Sequence, residues 1–187
     1  MRYFIGFLIT IGLIILLIVL IFGGGGSKKS TLPTSNKSLD SYAGSDAEVR
    51  MTIDGPVNAD QIHRQIQIDV SKDQITYEQI TGYQGGVTKT TNYENNQSAY
   101  SDFLRTLAVA GFTKGNTDPQ LKDERGYCPL GDRYIFEFIQ EDKVIERYWA
   151  TGCGGVKSFL GDLDITTQLF EAQVPDFNEV NLGTELS

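Results

Sequence analysis

Residues 3–22 form an uncharged run of Phe, Ile, Leu, Val and Gly, interrupted only by Tyr3 and Thr10. As a helix, twenty residues at about 1.5 Å each reach about 30 Å, the thickness of a bilayer's hydrocarbon core. Such a stretch has no polar face to turn toward water. The sequence therefore predicts a single-pass transmembrane helix within 1–22, retained as a signal anchor. The membrane becomes a partner through residues 3–22, and the rest of the chain is presented on one side of it. A cleaved leader fits less well, because its apolar segment is about 7–15 residues long and ends at an Ala-x-Ala-like site. Here four glycines, 23–26, follow the run. A pilin-type start also fits less well. No basic residue directly precedes Gly6, Ile11 stands where pilins carry an acid, and the glycines interrupt the long helix that pilins continue.

The flanking charges pull in two directions. Arg2 precedes the run, while Lys28, Lys29 and Lys37 follow it, which by the positive-inside rule favours a cytoplasmic C-terminal domain. Long trailing domains translocate largely regardless of such charge, and a cysteine pair suits an oxidising compartment. The expectation is an extracytoplasmic domain.

Residues 23–46 are rich in Gly, Ser, Thr and Lys, without apolar periodicity, and read as a flexible linker. Residues 47–178 are long enough for one hydrophobic core and short for two. Residues 179–187 read as a frayed tail. From residue 47 onward, 12 Lys and Arg stand against 22 Asp and Glu, a net charge of −10. A polyanion needs a basic footprint, so nucleic acid is not an expected partner. The same balance disfavours docking of this domain on anionic lipid.

Hydrophobic periodicity sets the fold class. Val49, Met51 and Ile53 alternate with polar residues, as do Ile66, Ile68 and Val70, then Ile75, Tyr77 and Gln79. A Thr-rich run over 87–93 completes an expected four-strand antiparallel meander. The period then becomes helical over 98–111, with Tyr100, Phe103, Leu104, Leu107 and Ala108 on one face, a cap at Asn95, Asn96 or Ser98, and Gly111 at the stop. Residues 133–140 and 143–151 form a second hairpin. A last helix is expected over 163–173, with Ile165, Leu169, Phe170 and Ala172 inward. The order β-β-β-β-α-β-β-α implies an α+β fold, with helices packed on one face of a mainly antiparallel sheet.

Cys128 and Cys153 bracket the second hairpin and are the only thiols. A three-residue loop at 141–143 pairs Glu137 with Arg147, Ile135 with Trp149 and Ile139 with Ile145, which are charge-complementary or apolar pairs. A two-residue loop shifts that register by one. In either register the cysteines lie within a few residues of facing each other, which predicts a disulfide. Without a Cys-x-x-Cys spacing, a thioredoxin-like redox pair is not expected.

Marked chemistry is scarce. His63, the only histidine, reads as a surface histidine at the start of a strand, with no nucleophile motif to serve. Glu137, Glu141, Asp142 and Glu146 read as solvated charge on a hairpin rather than as a glycosidase pair. Asp162 and Asp164 suit a helix start. Two cysteines and one histidine make a poor zinc set, no EF-hand or phosphate loop occurs, and no cofactor or metal is expected. Arg133, Arg147, Trp149, Tyr83 and Tyr93 have the aromatic and arginine composition favoured at protein interfaces and are the candidate binding residues. The alternative for Trp149 is a core position beside the disulfide.

Three segments carry a resemblance: Arg125-Gly126-Tyr127-Cys128-Pro129-Leu130-Gly131, Trp149-Ala150-Thr151-Gly152-Cys153, and Leu169-Phe170-Glu171-Ala172-Gln173-Val174-Pro175-Asp176. In that order they resemble small, uncharacterised single-pass bacterial envelope proteins with an anchored ectodomain. The resemblance covers most of 47–178, implies an anchored ectodomain, and transfers no activity. The functional expectation is a non-enzymatic ectodomain that binds an extracellular protein or envelope ligand. The alternatives are an envelope hydrolase with an unmarked site, or a structural, minor pilin-like subunit.

Overall fold

The computed structural model describes residues 38–181, so the expected anchor, residues 23–37 of the expected linker and residues 182–187 lie outside the described residues. No helix among the described residues is long and apolar enough to cross a membrane.

Among the described residues six strands form one sheet: β1 (Ala47–Asp54), β2 (Arg64–Val70), β3 (Gln74–Thr81), β4 (Gly86–Glu94), β5 (Arg133–Gln140) and β6 (Lys143–Thr151). Their order is β4-β3-β2-β1-β5-β6, and every pairing is antiparallel. Helices α1 (Gln97–Ala110), α2 (Leu163–Glu171) and the single turn α3 (Phe177–Val180) complete an α+β fold. The expected meander and second hairpin are both present. The chain joins them by carrying α1 from the β4 edge back to β5, which pairs with β1.

The period-2 pattern decides which face is inside. In β1 buried and half-buried residues alternate through all eight positions. Val49, Met51 and Ile53 share one face with Ile66, Ile68, Val70, Ile75, Tyr77, Phe136 and Phe138, and the inward residues of α1 and α2 join the same core. Both helices therefore cover one face of the sheet. An aromatic cluster fills its centre, with Phe136 lying 4.6 Å from Phe159 and 6.2 Å from Phe112 by ring centroids. Each such side chain, fully buried, contributes about 1.5–3 kcal/mol. Tyr100 satisfies its buried hydroxyl by donating to the Ala47 carbonyl at 2.9 Å, and burial pushes that phenol's pKa up.

The helix boundaries follow their caps. Asn96 accepts from the Ala99 amide at 3.0 Å and opens α1, and Gly111 at φ 85° closes it. Asp162 accepts from the Ile165 amide at 3.0 Å and opens α2, as expected of an acid there. The inward faces depart in part from the expectation. Ala110 rather than Ala108 is buried in α1, and in α2 Thr166 is buried while Ile165 and Ala172 are exposed.

Three further expectations are corrected. The linker ends earlier than residue 46, because a 3-10 turn at Leu39–Tyr42 tucks Leu39 and Ala43 into the core. The tail is not frayed through residue 181: Lys89 and Gln79 donate to the Val180 carbonyl at 2.8 and 3.0 Å, and Tyr77 donates to Asn181. The hairpin combines both loop expectations. A two-residue turn, Glu141 and Asp142 with φ 50° and 61°, sets the register at the tip. A bulge then shifts it, so that Ile139 faces Val144 rather than Ile145, while Glu137 faces Arg147 and Ile135 faces Trp149.

Candidate functional site

Four connections meet at one end of the sheet. They are the β1–β2 loop (55–63), the β3–β4 turn (82–85), the segment entering β5 (128–132) and the segment leaving β6 (152–157). The registers require this, since Asp54 faces both Gln65 and Arg133, Thr81 faces Arg64 and Gly86, and Arg133 faces Thr151.

Each connection is tied to the next. Tyr83 stacks on the His63 ring at 4.0 Å, donates to the Asn58 carbonyl at 2.9 Å and accepts from the Asn58 amide at 3.1 Å. The Tyr83 amide donates to Asp60 at 2.8 Å. Gly82 beside it has φ 73°, and a Cβ there would meet Asp60 Oδ1 at 2.9 Å, so only glycine lets the turn approach the loop. The Val57 amide donates to the Pro129 carbonyl at 2.8 Å, joining the β1–β2 loop to the β5 entry. The Cys128–Cys153 disulfide, with Cα atoms 5.8 Å apart, joins that entry to the β6 exit, and the Gly152 amide donates to the Asp132 carbonyl.

Beneath these loops lies a buried polar cluster. Asp54 accepts from Arg133 at 2.7 Å, from Gln65 at 2.9 Å and from His63 Nε2 at 2.8 Å. His63 Nδ1 faces the Pro56 carbonyl at 3.2 Å, and Arg133 also donates to the Gly55 carbonyl. His63 is wholly buried, which corrects the surface reading: the stretch before β2 turns inward, where Asp54 and the Pro56 carbonyl lie against its two ring nitrogens. Neighbouring Asp132 has its carboxyl pKa raised by burial and by Asp54, with Arg133 opposing.

Above the cluster the pole exposes apolar side chains. Val57, Ile62, Tyr83 and Val156 are each about half exposed, and Leu130 is 87 % exposed. Cys153 is exposed as well.

The five candidate binding residues do not form one surface. Arg133 is buried under the pole as the partner of Asp54, and Trp149 is wholly buried. The Trp149 indole donates to the Leu121 carbonyl at 2.7 Å and its ring lies 4.9 Å from Tyr127, in a segment crossing the outer face of β5 and β6. Trp149 is thus buried rather than a surface contact, under residues 121–127 on the outer face of the sheet. Arg147, on the same outer face, is held by Glu124 at 2.6 Å and Glu137 at 3.3 Å. Tyr93 packs at the far end of β4 and donates to the Pro175 carbonyl. Tyr83 alone lies on the pole. Glu141 and Asp142 are exposed, whereas Glu137, paired with Arg147, and Glu146 are half-buried rather than solvated. Sequence reasoning missed Val57, Ile62, Leu130 and Val156. Their only signal was an apolar residue inside a Pro- or Gly-rich connection, where no core position is expected.

Three grooves lie elsewhere on the domain. One of about 520 Å³ runs beside Glu171, Asp176 and Glu179, another of about 480 Å³ beside Arg147, and a third of about 660 Å³ beside Asp40 and Gln97. None includes His63 or Asp54. Among the described residues no three of His, Cys, Asp and Glu gather in a way that would hold a metal ion.

Fold and pole together define a disulfide-tied α+β domain with a single antiparallel sheet. No family model and no curated protein matches the chain.

Proposed function

We propose that this protein is a membrane-anchored, non-enzymatic binding module whose loop pole docks a protein or envelope ligand outside the cytoplasm. The carrying observation is the pole itself: four connections cross-tied by a disulfide, a stacked His63–Tyr83 pair and the Asp54–Arg133 bridge, yet bearing exposed Val57, Ile62, Leu130 and Val156. Loops held rigid bind without a large ordering cost, and apolar side chains exposed on several such loops at one end of a domain suit an interface.

The hydrolase alternative asks for an acid beside His63, and Asp54 meets that requirement at 2.8 Å. Both imidazole nitrogens are already engaged, however, and Tyr83 covers the ring, so the histidine has no nitrogen left to offer a substrate.

Two measurements test the proposal. Intact cells are treated with a membrane-impermeant thiol reagent, with and without prior reduction. Labelling that appears only after reduction supports an external, bonded Cys128–Cys153 pair, whereas free thiols reached only on lysis overturn the external placement. A photo-crosslinker at Leu130 should then give a discrete adduct that Val57→Asp removes. No adduct, or one indifferent to Val57, overturns the pole as the docking surface.

A further inference from the structure

The two edges of the sheet are treated differently. The second half of β6 is covered: the Ser158 and Phe159 amides both donate to the Trp149 carbonyl, and the Trp149 amide donates to Ser158 Oγ at 2.9 Å. Its first half carries Lys143, Glu146 and Arg147 together with a bulge. Charge, bulges and covering segments are the devices that keep an edge strand from pairing with another chain.

β4 carries fewer of them. It is nine residues long and its burial pattern is the most exposed in the sheet. Its irregularity lies near its start, where the register with β3 shifts between Gln79 and Ile80. From Lys89 to Tyr93 the pairing with β3 is regular, and this stretch holds no proline and one charge. That charge is turned away, since the Lys89 ammonium donates to the Val180 carbonyl at 2.8 Å. Thr90, Thr91, Asn92 and Tyr93 then present a neutral, largely β-branched and aromatic edge, in a chain of net charge −8.

We infer that the β4 edge pairs with the β4 edge of a second copy of this chain, antiparallel about a two-fold axis at Thr91, joining two six-strand sheets into one. The stretch is self-complementary in that register. Thr91 faces its own copy, Thr90 faces Asn92, and Lys89 faces Tyr93, so that an aliphatic stem lies on an aromatic ring. Pairing about Thr90 instead would recruit the irregular Thr88, and pairing about Asn92 would set Thr90 against Glu94. The chosen register brings no like charges together, as an isologous contact between two acidic molecules requires.

The test uses the full chain in detergent micelles. Each copy's own cysteines are held in the intramolecular disulfide, so an added cysteine reports on proximity. Under mild oxidation Thr91→Cys should give a covalent dimer on a non-reducing gel, at least about tenfold more than Val144→Cys on the β6 edge. Thr91→Lys, which sets like charges face to face, should turn a dimer into a monomer by light scattering with an unchanged circular dichroism spectrum. A monomeric parent, equal cross-linking at residues 91 and 144, or a dimer that survives Thr91→Lys would each overturn the inference. Loss of cross-linking at Thr91→Cys on removal of residues 1–22 would assign the association to the N-terminal segment and overturn it as well.

Discussion

Asp54 and Arg133 face each other across β1 and β5, with Oδ2 and Nη2 2.7 Å apart and the arginine side chain 4 % exposed. Asp54 also accepts from His63 and Gln65, so one carboxylate satisfies three donors beneath the pole. Removing one partner of a buried pair strands the other charge, at a cost of about 3–5 kcal/mol. Asp54→Asn should lower the unfolding free energy by an amount of that order in urea titrations, and Arg133→Met, which removes the other charge at similar volume, should recover part of it in the double variant. A loss under about 1 kcal/mol for the single variant would show that the pair is solvated.

The disulfide should act mainly on the unfolded chain. It closes a loop of 25 residues, worth about 3–4 kcal/mol in the chain-entropy model. The Cys128→Ser, Cys153→Ser double variant should lose stability of that size while its single tryptophan, Trp149, keeps native emission in the absence of denaturant. An emission shift in the folded variant would mean that the bond also holds residues 121–127 over Trp149.

The strands and helices were legible because a single period governs each. In β1 a one-residue slip would have turned Val49, Met51 and Ile53 outward, so alternation left no choice of face. The hairpin was legible except at Ile145, since a bulge adds one residue without any change in composition. The expected linker boundary failed at Leu39, because one apolar residue among Ser and Asp shows no period and is recruited only by the finished core. The site was the least legible part. His63 and Asp54 are nine residues apart at the two ends of a loop, and nothing local signals that β5 will bring Arg133 to Asp54. Arg133 and Trp149 were picked for composition, which does not separate an interface from an interior.

Glu146 should make stability depend on pH. Its Oε2 is buried without a partner, and burial raises the carboxyl pKa above its ordinary value of 4.5. A raised acid binds its proton more tightly in the folded state, so the penalty is full above the folded pKa and vanishes as pH falls below the unfolded value. Glu146→Gln should therefore raise the melting temperature at pH 7, by about 0.5–1 kcal/mol of stability once solvent at this half-exposed group is allowed for. The gain should disappear near pH 4. A gain that persists there would point to packing rather than charge.

Tyr83 links the rigidity of the pole to binding. Its hydroxyl makes two bonds to Asn58 and its ring lies 4.0 Å from His63, so it holds the β1–β2 loop against the β3–β4 turn. Tyr83→Phe keeps the stack and loses the hydroxyl bonds, for about 1 kcal/mol. Tyr83→Ala loses both and bares the His63 ring. Amide exchange at residues 57–63 should then quicken strongly in the alanine variant and slightly in the phenylalanine one, with the amides of β1 and β2 less affected, because the loop opens without the sheet. Capture through Leu130 should fall in the same order, since a loosened loop must be ordered again on docking. Equal exchange in both variants would mean that the disulfide and the Val57–Pro129 bond hold the loop without Tyr83, and that its ring is free to serve as a contact.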